Sequence, residues 1–148
     1  MLKLVFSMDK LNTEQYLAVY RQSNRDFREE EKMLSYLREG FFSIRGAVCA
    51  LWEVDGRYVS ALRFEPYKDG CLITALETAP EDRRKGYAKC LLQAMTSRYS
   101  LPVYSHIEKN NKASLNLHRY CGFEVCSDSA LLLDGTVTQN YFTMMYCK

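Results

Sequence analysis

The sequence predicts a single α/β domain, residues 1–148, in which helices flank a mixed and mostly antiparallel central sheet. The length of 148 residues fits one domain, and 47% hydrophobic and 26% charged residues are typical of a soluble globular core. Three Asp-Gly pairs each separate two apolar or alternating runs, as in tight β-hairpins. Helical patterns do not alternate regularly with the strands, which excludes a doubly wound nucleotide-binding sheet.

The N-terminal third is predicted to hold one strand and two helices. Leu2 to Phe6 is predicted as a short strand, and Asn12 or Thr13 can cap the first helix. A polar stretch from Arg25 to Lys32 leads into a second helical pattern, which Gly40 can end. The apolar positions of these helices are Tyr16, Leu17 and Tyr20 in the first, and Met33, Leu34, Leu37 and Phe41 in the second.

The rest of the chain is predicted as a three-stranded meander, then a helix, a strand, a helix and a final hairpin. This completes the order β-α-α-β-β-β-α-β-α-β-β. The predicted strands are residues 47–54, 58–64, 71–78, 103–108, 130–133 and 141–146, and the predicted helices are residues 83–99 and 112–121.

The charge balance gives no general case for binding nucleic acid or a membrane surface. Lys and Arg number 20 and Asp and Glu number 18, so the formal net charge is +2. No apolar run approaches the roughly 18 residues of a membrane-spanning helix, and the N-terminal residues lack the pattern of a signal peptide. We therefore expect a cytoplasmic protein that binds neither nucleic acid nor membrane.

Six cysteines are present, but they do not form a metal-binding or disulfide pattern. They are Cys49, Cys71, Cys90, Cys121, Cys126 and Cys147. They include no C-x-x-C pair, and the two histidines, His106 and His118, do not complete a zinc-ligand spacing. We expect no bound metal and free thiols that act as small core residues in a reducing cytosol, with a reactive cysteine as the alternative.

The segment after the strand at 71–78 breaks two local rules. Pro80 ends the strand, and Asp82 is predicted to cap the next helix. Three cations, Arg83, Arg84 and Lys85, then crowd the positive end of the helix dipole, where anions are preferred. Gly86 follows in the predicted first turn, where glycine costs about 1 kcal/mol relative to alanine.

A bound anion would account for both violations. First-turn backbone amides, the cations and the missing side chain of Gly86 would together admit a phosphate to the backbone. The alternative is a solvated cluster that Glu81 and Asp82 offset. The pattern is neither a Walker loop nor a G-x-G-x-x-G fingerprint.

A second motif lies on the predicted helix at 112–121. Asn111, Ser114 and His118 are spaced at i, i+3 and i+7, away from the solvated side, which suits the lining of a cleft. The alternative is that Asn111 caps the helix and the other two lie at its margin. Gly122 is predicted to end the helix and Phe123 to anchor it in the core. The predicted core side consists of Ala113, Leu117, Tyr120 and Cys121.

Both segments resemble motifs of the GNAT superfamily, the acyl-CoA-dependent N-acyltransferases. Arg83-x-x-Gly86-x-Ala88 resembles the family's [QR]-x-x-G-x-[GA] pyrophosphate loop. The segment Asn111-x-x-Ser114-x-x-Leu117-His118-x-x-x-Gly122-Phe123 resembles its N-x-x-[AS]-x-x-[LF]-Y-x-x-x-G-F signature. The resemblance covers about residues 44 to 146, and the two N-terminal helices fit the family's variable element over the acceptor site.

The resemblance implies a GNAT-like fold and acetyl-CoA as cosubstrate. It places the acyl carbonyl and pantetheine arm against the strand at Leu76, Glu77 and Thr78. It places the pyrophosphate on backbone amides of the loop and the start of the following helix, and the pantetheine arm near two residues of the second motif. The cofactor-binding residues that it implies are Leu76, Glu77, Thr78, Arg83, Arg84, Lys85, Gly86, Tyr87, Ala88, Asn111, Ser114 and His118.

The catalytic residues that the resemblance implies are His118 and Glu77. The family's usual acid for the leaving thiolate is a tyrosine, and His118 occupies that position; an imidazole can also donate a proton. Glu77 is the carboxylate closest in sequence to the expected acyl site, although strand alternation can turn it away. Glu65, His106 and Glu108 are rival general bases, and direct loss of the amine proton to water is open.

The predicted function is transfer of an acetyl group to a primary amine of a small molecule, amino acid or peptide, by direct attack in a ternary complex. The Leu-His pair also resembles relatives of the phosphinothricin acetyltransferases, which implies an amino-acid-like acceptor. The alternative is a non-catalytic acyl-CoA-binding sensor or interaction module. An anion-binding nucleic-acid module is disfavoured, because the chain lacks a basic–aromatic stripe. The expected oligomeric state is a monomer or homodimer.

Overall fold

A seven-stranded sheet organises the chain. The structure is a computed structural model that describes residues 1–21 and 26–146. The strands are β1 (Leu2–Val5), β2 (Val48–Val54), β3 (Arg57–Tyr67), β4 (Gly70–Thr78), β5 (Val103–Glu108), β6 (Phe123–Ser127), β7 (Ala130–Leu131), β8 (Val137–Thr138) and β9 (Tyr141–Tyr146). The α-helices are α1 (Thr13–Tyr20), α2 (Phe27–Glu39), α3 (Tyr87–Arg98) and α4 (Lys112–Tyr120), and short 3₁₀ turns cover Met8–Lys10, Phe41–Ser43 and Pro80–Asp82.

The strand order in the main sheet is β1-β2-β3-β4-β5-β9-β6, and β7 pairs only with β8. Of these pairs β4 and β5 run parallel and the others antiparallel, so α3 forms the crossover between the two parallel strands. This arrangement confirms the predicted mixed, mostly antiparallel sheet with flanking helices.

The parallel strands β4 and β5 separate after three residue pairs. Their register ends at Ile73 opposite Ser105, although both strands continue beyond this point. Just past it β4 carries an irregularity: its pairing with β3 shifts between Ala61 and Arg63, and Ala75 adopts a φ of 55°. A bulge of this kind bends a strand and increases its local twist. It therefore opens a gap in the middle of the sheet.

Two apolar clusters cover the two faces of the sheet. One cluster includes Leu91 and Met95 of α3 and Leu115 of α4, and we call this side the α3/α4 face. The other includes Tyr16 of α1 and Leu37 of α2, and we call it the α1/α2 face. Because side chains alternate along a strand, neighbouring residues of β4 and β5 project to different faces.

The structure differs from the predicted elements in several places. The second helix starts at Phe27, inside the predicted polar stretch, because the Asp26 side chain caps it by accepting a hydrogen bond from Glu29 N at 3.0 Å; Arg25 lies outside the described residues. The sequence prediction lacks β6, which is mostly exposed and polar at the sheet edge. The predicted final hairpin between the strands at 130–133 and 141–146 is wrong: the first of these strands is reduced to the two residues of β7, which pairs with β8, and β9 pairs with β5 and β6.

The core side of α4 is also different from the predicted one. Leu115, His118 and Cys121 are buried, whereas Ala113 and Tyr120 are exposed. Tyr120 instead packs under Lys89, whose Nζ lies 4.5 Å from the ring centroid. Five cysteines of the described residues are free thiols, two of them buried, and Cys147 lies outside those residues. No helix in the described part of the chain is long and apolar enough to cross a membrane.

Candidate active site

A cavity of about 650 Å³ occupies the gap between the separated ends of β4 and β5. On the α3/α4 face its walls include Ile73, Leu76, Ser105, Ile107, Asn111, Ser114 and His118. On the α1/α2 face they include Leu72, Thr74, His106 and Tyr141, which alternate with those residues along the strands, and the segment after β7 adds Leu132, Leu133 and Thr138. The cavity therefore reaches both faces of the sheet, and two ligands that enter from opposite faces can meet inside it.

The loop at residues 83–88 follows β4 on the α3/α4 face. The helix after it begins at Tyr87, four residues later than predicted, and its N-cap is Gly86 with a φ of 82°. Asp82 is therefore not the N-cap. It is buried at the end of a 3₁₀ turn, because its carboxylate accepts hydrogen bonds from Arg57 and from Lys85.

The backbone of the 83–88 loop fits an anion. Arg84 has a φ of 65°, a left-handed conformation that is uncommon outside glycine and clusters at functional sites. No side chain caps α3, and its first-turn amides have no acceptor within the helix. A Cβ added at Gly86 would meet no atom within 4 Å, so the backbone there is open to a ligand. These features are the ones expected where a phosphate binds to backbone amides, and we call residues 83–88 the phosphate cradle.

The three cations differ in what they contact. Arg83 turns back to β4, with Nη2 3.6 Å from Glu77 Oε1 and Nε donating to Thr78 O at 3.4 Å. Lys85 Nζ lies 3.4 Å from Asp82 Oδ1. Arg84 is exposed, and its side chain forms no hydrogen bond or ion pair with the described residues. Arg84 is therefore the cation most available to a bound phosphate.

His118 is buried in the cavity wall with both ring nitrogens in hydrogen bonds. Its Nδ1 lies 2.8 Å from Ser114 O, and its Nε2 lies 3.0 Å from Ser105 Oγ. Burial lowers the pKa of His118, although the hydrogen bond to the Ser114 backbone opposes this effect. The ring is therefore neutral at pH 7. Because a carbonyl only accepts, the single ring proton lies on Nδ1.

The other residues of the second motif line the same wall. Asn111 caps α4, as its side chain accepts from Ser114 N at 3.1 Å, so the capping interpretation is correct for this residue. Both Asn111 and Ser114 nevertheless line the cavity.

On β4, Leu76 lines the cavity, whereas Glu77 and Thr78 are not among its lining residues. Thr78 Oγ1 lies 3.2 Å from Ser60 Oγ, and the Glu77 carboxylate is in the ion pair with Arg83. Strand alternation has turned Glu77 away from the cavity.

Of the rival bases, His106 and Glu108 line the cavity and Glu65 does not. Burial lowers the pKa of His106, with nearby Lys68 acting in the same direction, so this ring is also neutral at pH 7. The His106 Nε2 atom is buried and has no hydrogen-bond partner among residues 1–21 and 26–146. Glu108 is exposed and accepts from Tyr141 OH at 3.0 Å. Burial raises the pKa of Glu65, and Arg63 opposes the shift.

Two residues of the site were not identified from the sequence. Ser105 occupies a buried phase of the alternating strand β5, between Val103 and Ile107, and a polar residue at such a position was the available signal. Arg57 donates hydrogen bonds to the Asp82 carboxylate. No local sequence pattern indicates this role, because the two residues are 25 positions apart.

Comparison with known protein families identifies the class to which the chain belongs. The family model described as the acetyltransferase (GNAT) family matches residues 11–123. The chain belongs to this family, whose enzymes use acetyl-CoA as the cosubstrate. This confirms the family that the two sequence motifs indicated. No curated protein sequence matches the chain.

Solved structures with the same fold include three N-acetyltransferases. PaiA from Thermoplasma acidophilum, in complex with coenzyme A, has 14% identity and a TM-score of 0.65, with 100% of this chain and 99% of that chain covered. PseH from Campylobacter jejuni, in complex with acetyl coenzyme A, has 16% identity and a TM-score of 0.68, with 100% and 99% covered. The ribosomal-protein-S18-alanine N-acetyltransferase from Escherichia coli has 14% identity and a TM-score of 0.65, with 99% and 93% covered. At these identities the likeness establishes the fold.

Proposed function

We propose that the protein transfers an acetyl group from acetyl-CoA to a primary amine in a ternary complex. The single observation that carries this proposal is the cavity between β4 and β5, which reaches both faces of the sheet. Neutral His106 lines it on the α1/α2 face. The phosphate cradle is not among the lining residues, but it follows β4, one of the two strands that border the cavity, on the α3/α4 face. A cosubstrate and an acceptor can therefore approach the same point from opposite sides, as direct transfer requires.

The residues on the α3/α4 face fit acetyl-CoA. The backbone from Arg83 to Ala88 would hold the pyrophosphate, with Arg84 adding charge, and Leu76, Asn111 and Ser114 would border the pantetheine arm. The open space at Gly86 and the uncapped start of α3 support this assignment. When bound, acetyl-CoA supplies an activated acetyl thioester. The β4 backbone beyond Ile73 is released from β5 but stays paired with β3, so the backbone amides that face β5 are available to an acyl carbonyl.

The residues on the α1/α2 face fit an amine. A primary amine is protonated at neutral pH, so it must lose a proton before it reacts. His106 is neutral, lines the cavity and has an unpartnered buried Nε2, so we assign it the role of general base. The charged side chains among the lining residues are the carboxylates of Glu108 and Asp134, which favour a cationic acceptor over an anionic one.

The predicted roles of Glu77 and His118 are revised in this proposal. Glu77 is paired with Arg83 away from the cavity, so it contributes through its position on β4 rather than as a base. His118 lines the cavity, but its ring proton is donated to the Ser114 carbonyl. A direct acid role needs a proton on Nε2, which the neutral ring does not carry. His118 therefore acts through the Ser105 hydroxyl, whose oxygen lies 3.0 Å from its Nε2.

The free thiols of the described cysteines support a reducing, cytoplasmic location. They also determine how the proposed activity is measured, since exposed Cys126 would react with thiol reagents.

The proposed function is tested with acetyl-CoA and a panel of small amines, amino acids and peptides. The readout is the mass of the acetylated amine and of released CoA. Acceptor-dependent release with a matching acetylated product supports the proposal, and Gly86→Ala serves as a variant with an impaired cradle. Tight CoA binding with no acetylated product across the panel would instead favour the non-catalytic acyl-CoA-binding module.

A further inference from the structure

Ser105, His118 and the backbone of Ser114 form a hydrogen-bonded chain in the cavity wall. Ser105 Oγ lies 3.0 Å from His118 Nε2, and His118 Nδ1 lies 2.8 Å from Ser114 O. The proton on Nδ1 is fixed by the carbonyl, so Nε2 presents a lone pair. The Ser105 hydroxyl must therefore donate its proton to His118, which leaves the oxygen lone pairs of Ser105 for another partner.

This chain has the hydrogen-bond order of an activated serine. A nucleophile within reach of a base, with the base oriented by a third group, is the arrangement that converts a hydroxyl into an acyl acceptor. Here the third group is a backbone carbonyl instead of a carboxylate.

The position of Ser105 in the fold points to the same chemistry. Ser105 is the last residue of β5 that pairs with β4, so it lies at the point where the strands separate and the cavity begins. Past this point the cavity wall is formed by residues 74–76 of β4. The proposed function assigns the β4 backbone there to binding of the acyl carbonyl. A hydroxyl activated by His118 is therefore next to the place where an acyl group would be bound.

We infer that Ser105 is a nucleophile that accepts an acyl group when no amine is bound and then passes it to water, so that the protein is also a slow acyl-thioester hydrolase. Only the source of the acyl group rests on the proposed function; the activation of Ser105 does not.

Each step of this activity is balanced. Ser105 Oγ bonds to the acyl carbon while its proton moves to His118 Nε2. The carbon–sulfur bond then breaks, the thiolate takes that proton, and an ester on Ser105 remains. Water next attacks the ester, His118 Nε2 takes a proton from the water and returns it to Ser105 Oγ, and the carboxylic acid leaves.

The rate of this hydrolysis is expected to be low. In serine hydrolases, replacing the carboxylate that orients the histidine lowers kcat about 10⁴-fold. A neutral carbonyl from Ser114 stabilises the imidazolium less than a carboxylate does. Transfer to a bound amine therefore remains the faster reaction.

The activation of Ser105 is tested without acetyl-CoA, with a small alkyl fluorophosphonate that reacts with activated serines. Wild type is expected to gain one adduct, located on Ser105 by peptide mass mapping. His118→Gln and His118→Phe, each checked for folding by thermal unfolding, should slow labelling at least tenfold. The matched control is Ser60→Ala, because Ser60 is a buried serine in β3 whose hydroxyl donates to the Glu77 carbonyl at 2.7 Å; it should label like wild type. No adduct on Ser105 in wild type, or equal labelling in the His118 variants, overturns the proposal.

The acyl step is tested by label exchange between acetyl-CoA and isotopically labelled CoA without any amine. Exchange that disappears in Ser105→Ala supports an acyl ester on Ser105. Amine acetylation without any exchange overturns the acyl step while it leaves the proposed function intact. If acetyl-CoA does not bind at all, the proposed function fails and the fluorophosphonate result still decides the status of Ser105.

Discussion

Asp82 accepts two hydrogen bonds from the guanidinium of Arg57, one of them from Nη2 to Oδ1 at 3.1 Å. Asp82 is 2% exposed, and Lys85 Nζ lies 3.4 Å from the same carboxylate. Arg57 belongs to the start of β3 and Asp82 to the turn before the 83–88 loop. A bidentate, charge-assisted pair is strong and directional. The position of the phosphate cradle is therefore fixed to the sheet by this pair.

The first prediction is that Asp82→Asn destabilises the protein and weakens CoA binding. Hydrogen bonds to charged groups contribute about 1.5–3 kcal/mol, so the free energy of unfolding at pH 7 should fall by about this amount. Arg57 holds the pKa of Asp82 below its usual value. The wild-type carboxylate therefore contributes stability above its ordinary pKa and loses it as the pH falls through its lowered pKa, so the two proteins should converge at acidic pH.

The control for this prediction is Glu81→Gln. Glu81 Oε1 lies 3.5 Å from the same Arg57 nitrogen, but its side chain is 64% exposed. A solvent-exposed ion pair contributes about 0–1 kcal/mol, so this variant should resemble wild type in urea unfolding. Equal losses in the two variants would contradict a specific role for Asp82.

The second prediction is that Gly86→Ala removes CoA binding without unfolding the protein. The added Cβ enters open space where the phosphate would lie, and the left-handed φ of 82° costs alanine about 1–2 kcal/mol. Ligand at 100 times its Kd adds about 2.7 kcal/mol to wild-type stability, a melting shift of roughly 5–10 °C. The variant should show a much smaller shift.

Gly56→Ala provides a control with the same backbone strain. Gly56 has a φ of 76°, and a Cβ there also meets no atom within 4 Å, but it lies in the turn between β2 and β3. This variant should lose similar stability without ligand and keep the full CoA shift. If both variants keep the shift, CoA phosphates do not bind at Gly86.

The third prediction separates the three cations. Arg84→Gln should weaken CoA binding by about 2–5-fold at low salt, the effect of one exposed ionic contact, and should reduce its salt dependence. The stability of the free protein should change by less than about 0.5 kcal/mol, because Arg84 contacts none of the described charged groups. Lys85→Gln should instead lower stability, since Lys85 supports Asp82. Calorimetric titration with CoA at two salt concentrations measures these effects.

Local patterns were sufficient to predict the sheet and most helices. Asp-Gly turns predicted the meander, because hairpin turns depend on neighbouring residues. The cations with Gly86 predicted a phosphate-binding loop, and the open backbone at Gly86 supports this prediction. The interpretation of the loop itself was partly wrong. Its cations lie before the first turn of α3, because the N-cap is Gly86 and not Asp82. The Asp82 carboxylate instead accepts hydrogen bonds from Arg57.

The chemistry of the cavity depended on contacts that the sequence does not show. His118 was identified as a site residue from the sequence. Its hydrogen bond to Ser105 was not, because the two residues are thirteen positions apart and belong to different elements, β5 and α4. The tautomer of His118 follows from this packing. The edge strand β6 was missed because exposed edge positions carry polar residues, which removes the apolar signal of a strand.

The fourth prediction concerns stability between pH 5.5 and 7. The chain has two histidines, and burial lowers the pKa of both. The unfolded state therefore binds more protons below about pH 6.5, so the free energy of unfolding falls as the pH decreases, by up to about 1.4 kcal/mol per pH unit for each histidine. His118→Phe and His106→Phe should each remove the part of this pH dependence that one histidine contributes. The measurement is the free energy of unfolding in urea at several pH values.

Glu65 acts in the opposite direction at pH values between its ordinary pKa and its raised one. Burial raises the pKa of Glu65, so its contribution to stability increases as the pH falls through this interval. In this interval the stability of Glu65→Gln should fall more steeply than that of wild type as the pH decreases. A flat pH profile in both the wild-type and the Glu65→Gln backgrounds would contradict buried neutral histidines.

The last prediction is that His106 is the general base. His106→Asn should lower kcat about 10²–10⁴-fold when acetyl transfer limits turnover, because that is the usual contribution of a positioned base. CoA affinity should be unchanged, since the phosphate cradle lies on the opposite face of the sheet. Wild-type kcat/KM should decrease only below the ordinary pKa of histidine, near 6.5, because burial and Lys68 lower the pKa of His106.

Glu108→Gln and Glu65→Gln test the rival bases for the same prediction. We expect small effects, because Glu108 accepts from Tyr141 and Glu65 is not among the residues that line the cavity. A large loss of kcat in either of these variants, with near-normal turnover in His106→Asn, would assign the base to a carboxylate and leave His106 a binding role only.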